Sequence, residues 1–204
     1  LGIVPDEQAA VKEAITSALT QADMMLSTGG VSVGDYDYID DVLAALGATL
    51  HIRSVAVKPG KPLTVATFDQ GITQLYFGLP GNPASAMVGF WRFVAPAIAK
   101  LSGQLGPWSP EFVWAIATSD LRAGGGRETY LWGQLRGHQL GHQLGKQLGE
   151  QPVAAGIGYT FERAAGSHSS GNLVNLANIS GLGIVPQGET LIEAGQAVHV
   201  LKIR

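Results

Sequence analysis

The run "STGGVSVGDYDYIDD", residues 27–41, restricts the possible folds more than any other stretch of the chain. The segment "ADMMLST" at residues 22–28 predicts a short buried strand that leads into this run. The segment "YIDDVLAALG" that follows predicts a helix ending at Gly47 in the left-handed conformation. A strand that passes through a glycine-rich loop into a helix is a unit of α/β folds. We therefore expect an α/β layer with the strands inside.

The neighbouring segments continue this pattern. Apolar residues at helical spacing follow Asp6, whose carboxylate is predicted to cap that helix. A strand is predicted over residues 49–57, and two further strands form a hairpin around "DQG". Asn82 is predicted to cap the next helix, which Pro96 should kink.

The second half of the chain has a different character. Residues 102–110, "SGQLGPWSP", are predicted to form a linker, and residues 111–204 contain short alternating segments typical of a small barrel or sandwich. The repeat at residues 137–152 has glycine at every fourth position, which disfavours a helix and favours a loop between two strands. The predicted domains are thus an α/β domain at 1–101, the linker, and a β domain at 111–204.

Composition disfavours several classes of protein. The net charge of −3 provides no basic surface for nucleic acid, so we expect no nucleic-acid partner. The absence of cysteine rules out disulfides and thiolate sites and fits a cytoplasmic location. No apolar run is long enough to span a bilayer, and no signal peptide is visible, so we expect no membrane association. The chain begins with Leu1 and not with Met, which fits either a fragment of a longer protein or a naturally shortened protein.

Three loops of the α/β half have the chemistry of an anion site: "STGGVSVGD", "VKPGKP" and "FGLPGNPASA". They offer hydroxyls and glycine N–H groups, two neighbouring ammonium groups, and a helix start, respectively. Each alone also fits an ordinary turn or cap, but ligands of open α/β sheets bind where such loops meet. Together they predict a phosphate-bearing ligand. The predicted contacts are Ser27, Thr28, Gly29, Gly30, Ser32, Gly34, Lys58, Gly60, Lys61, Pro80, Gly81, Asn82, Pro83 and Ser85.

A carboxylate lies close to this predicted anion site. Asp37 follows the glycine loop directly, where its charge would repel phosphate unless a divalent cation stands between them. The pattern therefore predicts Mg²⁺. Asp40 and Asp41 are predicted to be solvated helix residues.

The motifs "TGGVSVGDYDY", "KPGKP" and "GLPGNPASA", in this order, resemble the MoeA family of molybdopterin molybdenumtransferases, which is related to the E domain of gephyrin. The runs "GRETYLWGQL" and "SGLGIVPQGETLIEAGQAVHVL" look like that family's C-terminal β-barrel domain. The resemblance implies a three-layer molybdopterin-binding α/β domain followed by a small barrel. It also implies that the opening strands of the α/β domain and a dimerisation region precede Leu1, and that the longer protein is a homodimer.

The resemblance further implies an activity. Such enzymes convert adenylylated molybdopterin and molybdate to molybdenum cofactor and AMP. Asp6 and Asp37 match the family's carboxylates that place Mg²⁺ and molybdate, so both are implied to be catalytic and metal-binding. Ser54 and Trp132 depart from the family, which often has basic residues at these positions.

Two alternative functions remain open at this point. One is the adenylyltransferase that makes the activated pterin, although such proteins usually lack the appended barrel. The other is an inactive pterin-binding or scaffold fragment. The receiving molybdoenzyme cannot be read from the sequence.

The predicted phosphate contacts can be tested at the two lysines. We expect Lys58→Ala and Lys61→Ala each to weaken molybdopterin binding by roughly 1.5–3 kcal/mol, the usual value of a charged hydrogen bond. Isothermal titration calorimetry with each variant measures the loss. Unchanged affinity in both variants would rule out the phosphate assignment.

Overall fold

Four strands form a mixed sheet near the start of the chain in the computed structural model, which describes residues 2–30, 38–69, 71–139, 157–166 and 176–203. Across the sheet the strands are β1 (Met24–Thr28), β5 (Thr73–Leu79), β4 (Pro62–Asp69) and β2 (Thr49–Ser54). β1 and β5 are parallel, whereas β4 is antiparallel to both of its neighbours. The β4–β5 pair confirms the predicted hairpin.

Helices cover both faces of this sheet. α1 (Gln8–Leu19) and α2 (Tyr38–Ala45) share one apolar core with the strand residues Met25, Ala66, Phe68 and Tyr76. Because side chains alternate along a strand, Leu79 faces the opposite way from Tyr76. Leu79 meets α3 (Pro83–Gly89) there, since a Cβ added to Gly89 would lie 3.1 Å from its side chain. The predicted three-layer α/β arrangement is confirmed.

The predicted cap of α1 is wrong. Its N-cap residue is Glu7, which has extended backbone angles of φ −130° and ψ 132° and makes no side-chain capping bond. The Glu7 N–H donates to the Pro5 carbonyl at 2.8 Å. Asp6 therefore lies within a turn, and the helix begins after it. The Asp6 side chain is exposed, which leaves its carboxylate available for another role.

Two other helix ends match their sequence signals. Asn82 caps α3, accepting a hydrogen bond at its Oδ1 from the backbone N–H of Ser85 at 3.2 Å. Gly47 has φ +81°, and the following N–H, of Ala48, donates to the Leu43 carbonyl at 2.9 Å. This bond closes the end of α2 in the manner of a left-handed C-terminal glycine.

A closed barrel of five strands dominates the second half of the chain. Around the barrel the order is β10 (Gly181–Val185), β12 (Ala197–Lys202), β6 (Phe112–Ala117), β9 (Ile157–Arg163), β8 (Glu128–Gln139) and β10 again. β3 (Val57–Lys58) runs parallel to the start of β8, and β7 (Leu121–Arg122) pairs with β11 (Leu191–Ile192). Of the two predicted β architectures, the barrel is confirmed. Closure leaves these five strands no free edge.

The barrel is filled around Phe161, which is fully buried with Leu131, Val185, Val198 and Val200. Burial of each such side chain contributes about 1.5–3 kcal/mol. A Cβ at Gly183 would lie 2.5 Å from the Phe161 ring, closer than side chains approach. The glycine in β10 is therefore required by the ring that fills the barrel.

A helical segment precedes the barrel strands. It contains a π-helical turn at Phe90–Val94 and then α4 (Ala95–Leu101), with Pro96 in its first turn. The disturbance predicted at Pro96 thus takes the form of a π-helical turn just before it. Within that turn, Arg92 Nε donates to the Tyr130 hydroxyl at 2.9 Å, and Tyr130 donates to Glu128 at 2.6 Å. Burial and the Glu128 carboxylate raise the pKa of Tyr130 well above its usual range, so the phenol stays protonated.

The chain divides into two compact units. One contains Leu1–Val55 and Gly60–Phe90, and the other contains Ala56–Pro59 and Trp91–Arg204. This division groups α4 with the barrel, whereas the domain boundaries drawn from the sequence, at 101 and 111, stay predictions. None of the helices that the structure describes is long and apolar enough to cross a bilayer.

The first three residues of the glycine repeat, 137–139, belong to β8, which pairs with β9. β8 continues through Gln139, so the interpretation of residues 137–139 as loop is wrong. The ladder to β9 pairs Gln139 with Ile157. Residues 140–156 lie outside the described residues.

The register across this connection yields a test. Because Gln139 and Ile157 are paired, a two-residue Asn-Gly turn can replace residues 140–156 without moving either strand. We expect an unchanged or higher melting temperature by circular dichroism, since a shorter loop loses less entropy on folding. A matched variant that also removes the strand residues 137–139 should melt lower. A fall of more than about 5 °C in the first variant would mean that the repeat stabilises the fold.

Candidate functional site

The glycine loop and the Pro-Gly-Asn-Pro turn meet at the end of the parallel strand pair. Thr28 of β1 and Leu79 of β5 are partners in register, so the segments that follow them start at the same edge of the sheet. The Gly29 N–H donates to the Leu79 carbonyl at 3.0 Å, which extends the ladder by one bond. A Cβ on Gly81 would lie 3.2 Å from the Gly29 Cα. The two loops are therefore in direct backbone contact.

The third loop reaches the same region through Gly60. This residue has φ +109°, and a Cβ on it would lie 3.3 Å from the Ser85 carbonyl oxygen in the first turn of α3. The Val55 N–H donates to the Lys61 carbonyl at 2.9 Å and closes the turn, while the Lys61 side chain is exposed. All three loops therefore contribute residues to one part of the first unit.

Lys58 is placed differently from Lys61. It belongs to β3, pairs with Thr129 in β8, and falls in the second unit. Its side chain is exposed. Its contribution to an anion site stays a prediction.

The start of α3 has fewer available donors than the sequence indicated. Pro83 has no N–H, and the Ser85 N–H is held by the Asn82 side chain. The Ala86 N–H donates to the Asn82 carbonyl at 2.9 Å. The exposed ammonium group of Lys61 is consequently better placed than this short helix to attract an anion.

A cleft of about 630 Å³ opens beside β1 and α1 in the first unit. Asp6 lies on its wall together with the last two residues of β1, Ser27 and Thr28, and the loop residues Gly29 and Gly30. The structure thus brings one predicted catalytic carboxylate and four predicted ligand contacts to a single cavity. Hydroxyl and carboxylate oxygens of this kind suit both phosphate and Mg²⁺.

The motifs did not indicate Tyr76, which also lines this cleft. Its hydroxyl lies 2.6 Å from Ser27 Oγ, and its ring is only 1% exposed. Tyr76 lies in a strand whose sequence resembles any buried strand, so no local signal distinguishes it.

Asp40 is not the solvated helix residue that was predicted. One of its carboxylate oxygens lies 3.2 Å from Arg53 Nε, and the other accepts from the Thr64 hydroxyl at 3.5 Å. These contacts join the first turn of α2 to β2 and β4. Because the Arg53 side chain is 69% exposed, the ion pair contributes at most about 1 kcal/mol. Asp41 is exposed, as predicted.

Three predicted site residues, Ser32, Gly34 and Asp37, lie outside the described residues. Among the residues that are described, no group of three or more histidines or carboxylates could hold a metal ion. The pairing of Asp6 with Asp37 at Mg²⁺ therefore stays a prediction.

Comparison with known proteins identifies similar sequences. A family model described as "Probable molybdopterin binding domain" matches residues 1–100. A molybdopterin molybdenumtransferase from Nostoc sp. is 49% identical over 202 residues, covering 99% of this chain and 42% of the relative. The chain belongs to the MoeA family. A molybdopterin molybdenumtransferase from Haemophilus influenzae is 41% identical over 127 residues, covering 62% of this chain and 30% of the relative.

Solved structures match the MoeA fold along the whole chain. A molybdopterin biosynthesis MoeA protein from Pyrococcus horikosii aligns with a TM-score of 0.72 and 20% identity. The alignment covers 100% of this chain and 43% of that one. This MoeA-family chain therefore spans less than half the length of the relatives described above.

The contact between Gly60 and Ser85 yields a test on the candidate site. We expect Gly60→Ala to lower the free energy of unfolding by about 1–2 kcal/mol, because a left-handed conformation strains any residue with a Cβ. It should also weaken molybdopterin binding, since the added methyl group displaces the Ser85 carbonyl.

Gly71→Ala is the matched control for this variant. Gly71 has φ +92°, and an added Cβ meets no atom within 4 Å. Its backbone strain is similar, but its substitution should leave binding intact. Chemical denaturation and calorimetry on both variants separate the two effects. Equal affinities would show that the Gly60 contact does not shape the site.

Proposed function

We propose that this chain supplies the pterin-binding layer and the barrel of a molybdopterin molybdenumtransferase. The reaction consumes adenylylated molybdopterin and molybdate. The phosphoanhydride is cleaved, AMP leaves, and the metal enters the dithiolene to give molybdenum cofactor. The observation that carries this proposal is the meeting of the three loops at the end of the β1–β5 pair, with Asp6 in the adjoining cleft. The names of the similar proteins support it.

The residues of the chain suggest separate tasks in this reaction. The Ser27 and Thr28 hydroxyls offer hydrogen bonds to ligand oxygens, and the exposed Lys61 ammonium offers positive charge. Gly29 and Gly30 carry no side chain that would keep a ligand away from the backbone. A side chain at Gly81 would press on Gly29 of the neighbouring loop. Asn82, Pro83 and Pro80 shape the turn on the other side of the contact.

Mg²⁺ fits the donors that line this cleft. Asp6 and the neighbouring hydroxyls are hard oxygen ligands, which Mg²⁺ prefers. We assign Asp6 and Asp37 to hold it. When bound, the ion would neutralise charge on the anhydride and on molybdate.

Other parts of the proposal rest on the family resemblance alone. They are a homodimer of the longer protein and a cytoplasmic location. The closed barrel disfavours the alternative adenylyltransferase, since proteins of that kind usually lack such a domain.

Asp37→Asn tests the proposed catalytic role in the longest polypeptide that carries this chain. The variant keeps the shape of the side chain and removes its charge. We expect molybdopterin affinity to survive, while AMP release at low molybdate falls about 100-fold or more, the scale of losing one site of charge stabilisation. Asp6→Asn should act on the same step, and the double variant should be little worse than either single one.

Asp41→Asn is the matched control, because Asp41 is an exposed residue of α2. It should release AMP at the normal rate. Unimpaired release in Asp37→Asn would remove Asp37 from catalysis. Loss of molybdopterin binding instead would make it a binding residue.

A further inference from the structure

The hydroxyl of Tyr76 occupies an unusual position for a core residue. The ring is 1% exposed and packs in the apolar cluster formed by α1, α2 and the sheet. Its oxygen lies 2.6 Å from Ser27 Oγ, where either group could donate the proton. A buried phenol needs a hydrogen-bond partner, and this partner lies at the end of β1, beside the loop that the ligand is proposed to contact.

The strand register explains how the two groups meet. Met25 is the partner of Tyr76 across the β1–β5 ladder, and Ser27 is the partner of Gly78. Gly78 carries no side chain, so the space beside Ser27 is open to the side chain two residues earlier on the same face. The phenol of Tyr76 extends diagonally into that space.

Ser27 also borders the cleft, together with Asp6 and the glycine loop. A serine hydroxyl has one proton to donate and lone pairs to accept. The direction of the bond to Tyr76 therefore decides what Ser27 offers a ligand. If Tyr76 donates, the serine proton stays available. If Ser27 donates, only its lone pairs remain for the cleft.

A phenol is the stronger proton donor of the two hydroxyls, since its pKa is only about 10. We propose that Tyr76 is a positioning residue, which donates to Ser27 Oγ and thereby aims the serine proton at an anionic phosphate oxygen of the ligand. This inference rests on the proposed function of the same cleft. It adds a residue that no motif contains, and it assigns Ser27 the role of donor rather than acceptor.

Preorganisation is the physical effect expected of this pair. A free serine hydroxyl rotates among several orientations, and a ligand must select one of them. A short bond to a fully packed ring restricts the oxygen before the ligand arrives, so less freedom is lost on binding. Removal of the phenol oxygen should consequently weaken binding even though Tyr76 is only 1% exposed.

A double-mutant cycle on this chain tests the proposal, with molybdopterin as ligand and calorimetry as readout. We expect Ser27→Ala to weaken binding about 10-fold or more, the scale of a hydrogen bond to a charged group. Tyr76→Phe keeps the ring and should weaken binding about 3- to 10-fold. The double variant should bind no more weakly than Ser27→Ala, because the proposed effect of Tyr76 on binding is exerted through Ser27. Ser27→Thr, which retains a hydroxyl, should restore much of the affinity.

The outcomes separate positioning from a purely structural role. If Tyr76 matters only for packing, Tyr76→Phe will change the melting temperature and leave the affinity equal to that of the wild type, which overturns the proposal. If the losses of affinity in the two single variants multiply in the double variant, the two residues act independently. That result would also overturn the proposal. Tyr159→Phe, which removes a phenol oxygen from barrel strand β9, is the control and should bind normally.

Inorganic phosphate as a second probe distinguishes failure of this inference from failure of the proposed function. Binding of phosphate but not of molybdopterin would refute the proposed function. The phosphate affinity of Tyr76→Phe would still decide the role of Tyr76. If the wild-type chain binds neither probe, both proposals are wrong.

Discussion

The hydrogen bond from the Gly29 N–H to the Leu79 carbonyl, 3.0 Å long, is the contact on which the candidate site depends. Parallel strands that end level with each other send both following segments out of the sheet at the same point. Gly29 and Gly81 then pass close to each other: a Cβ on Gly81 would lie 3.2 Å from the Gly29 Cα, whereas a Cβ on Gly29 would meet no atom within 4 Å. Gly30 has φ +71°, and a Cβ there would lie 3.2 Å from Ile39, at the start of α2. These close approaches therefore fix the positions of the glycine loop, the cleft wall and the start of α2 relative to one another.

Local signals predicted those parts of the fold that are decided locally. The β4–β5 hairpin, the Asn82 cap and the left-handed Gly47 each depend on a few adjacent residues, and each was found where the sequence indicated. The prediction that Asp6 caps α1 was wrong because a turn between Pro5 and Glu7 moves the N-cap of the helix by one residue, to Glu7. That difference is smaller than a composition pattern can resolve.

The parts that the sequence did not predict are contacts between distant residues. Ser27 and Tyr76 are 49 positions apart in the sequence. Neither segment contains a sequence pattern that indicates the parallel register by which they meet. Asp40 looked like a surface residue because Arg53 belongs to a separate strand. At residues 137–139 the glycine pattern argued correctly against a helix, but pairing with β9 extended the strand into the repeat. Asp37 was predicted from its position after the glycine loop and from its match to the family motif, and its role stays a prediction.

The assignment of Ala56–Pro59 to the second unit has a consequence for any attempt to dissect the protein. The chain leaves the first unit at Val55, returns at Gly60 and departs again after Phe90, so no single cut separates the units. A barrel expressed from Trp91 onward would lose the Ala56 carbonyl that accepts from the Glu128 N–H, and the Val57 carbonyl that accepts from Arg127. A separately expressed barrel that keeps these two hydrogen bonds would need β3 supplied in trans or joined by circular permutation.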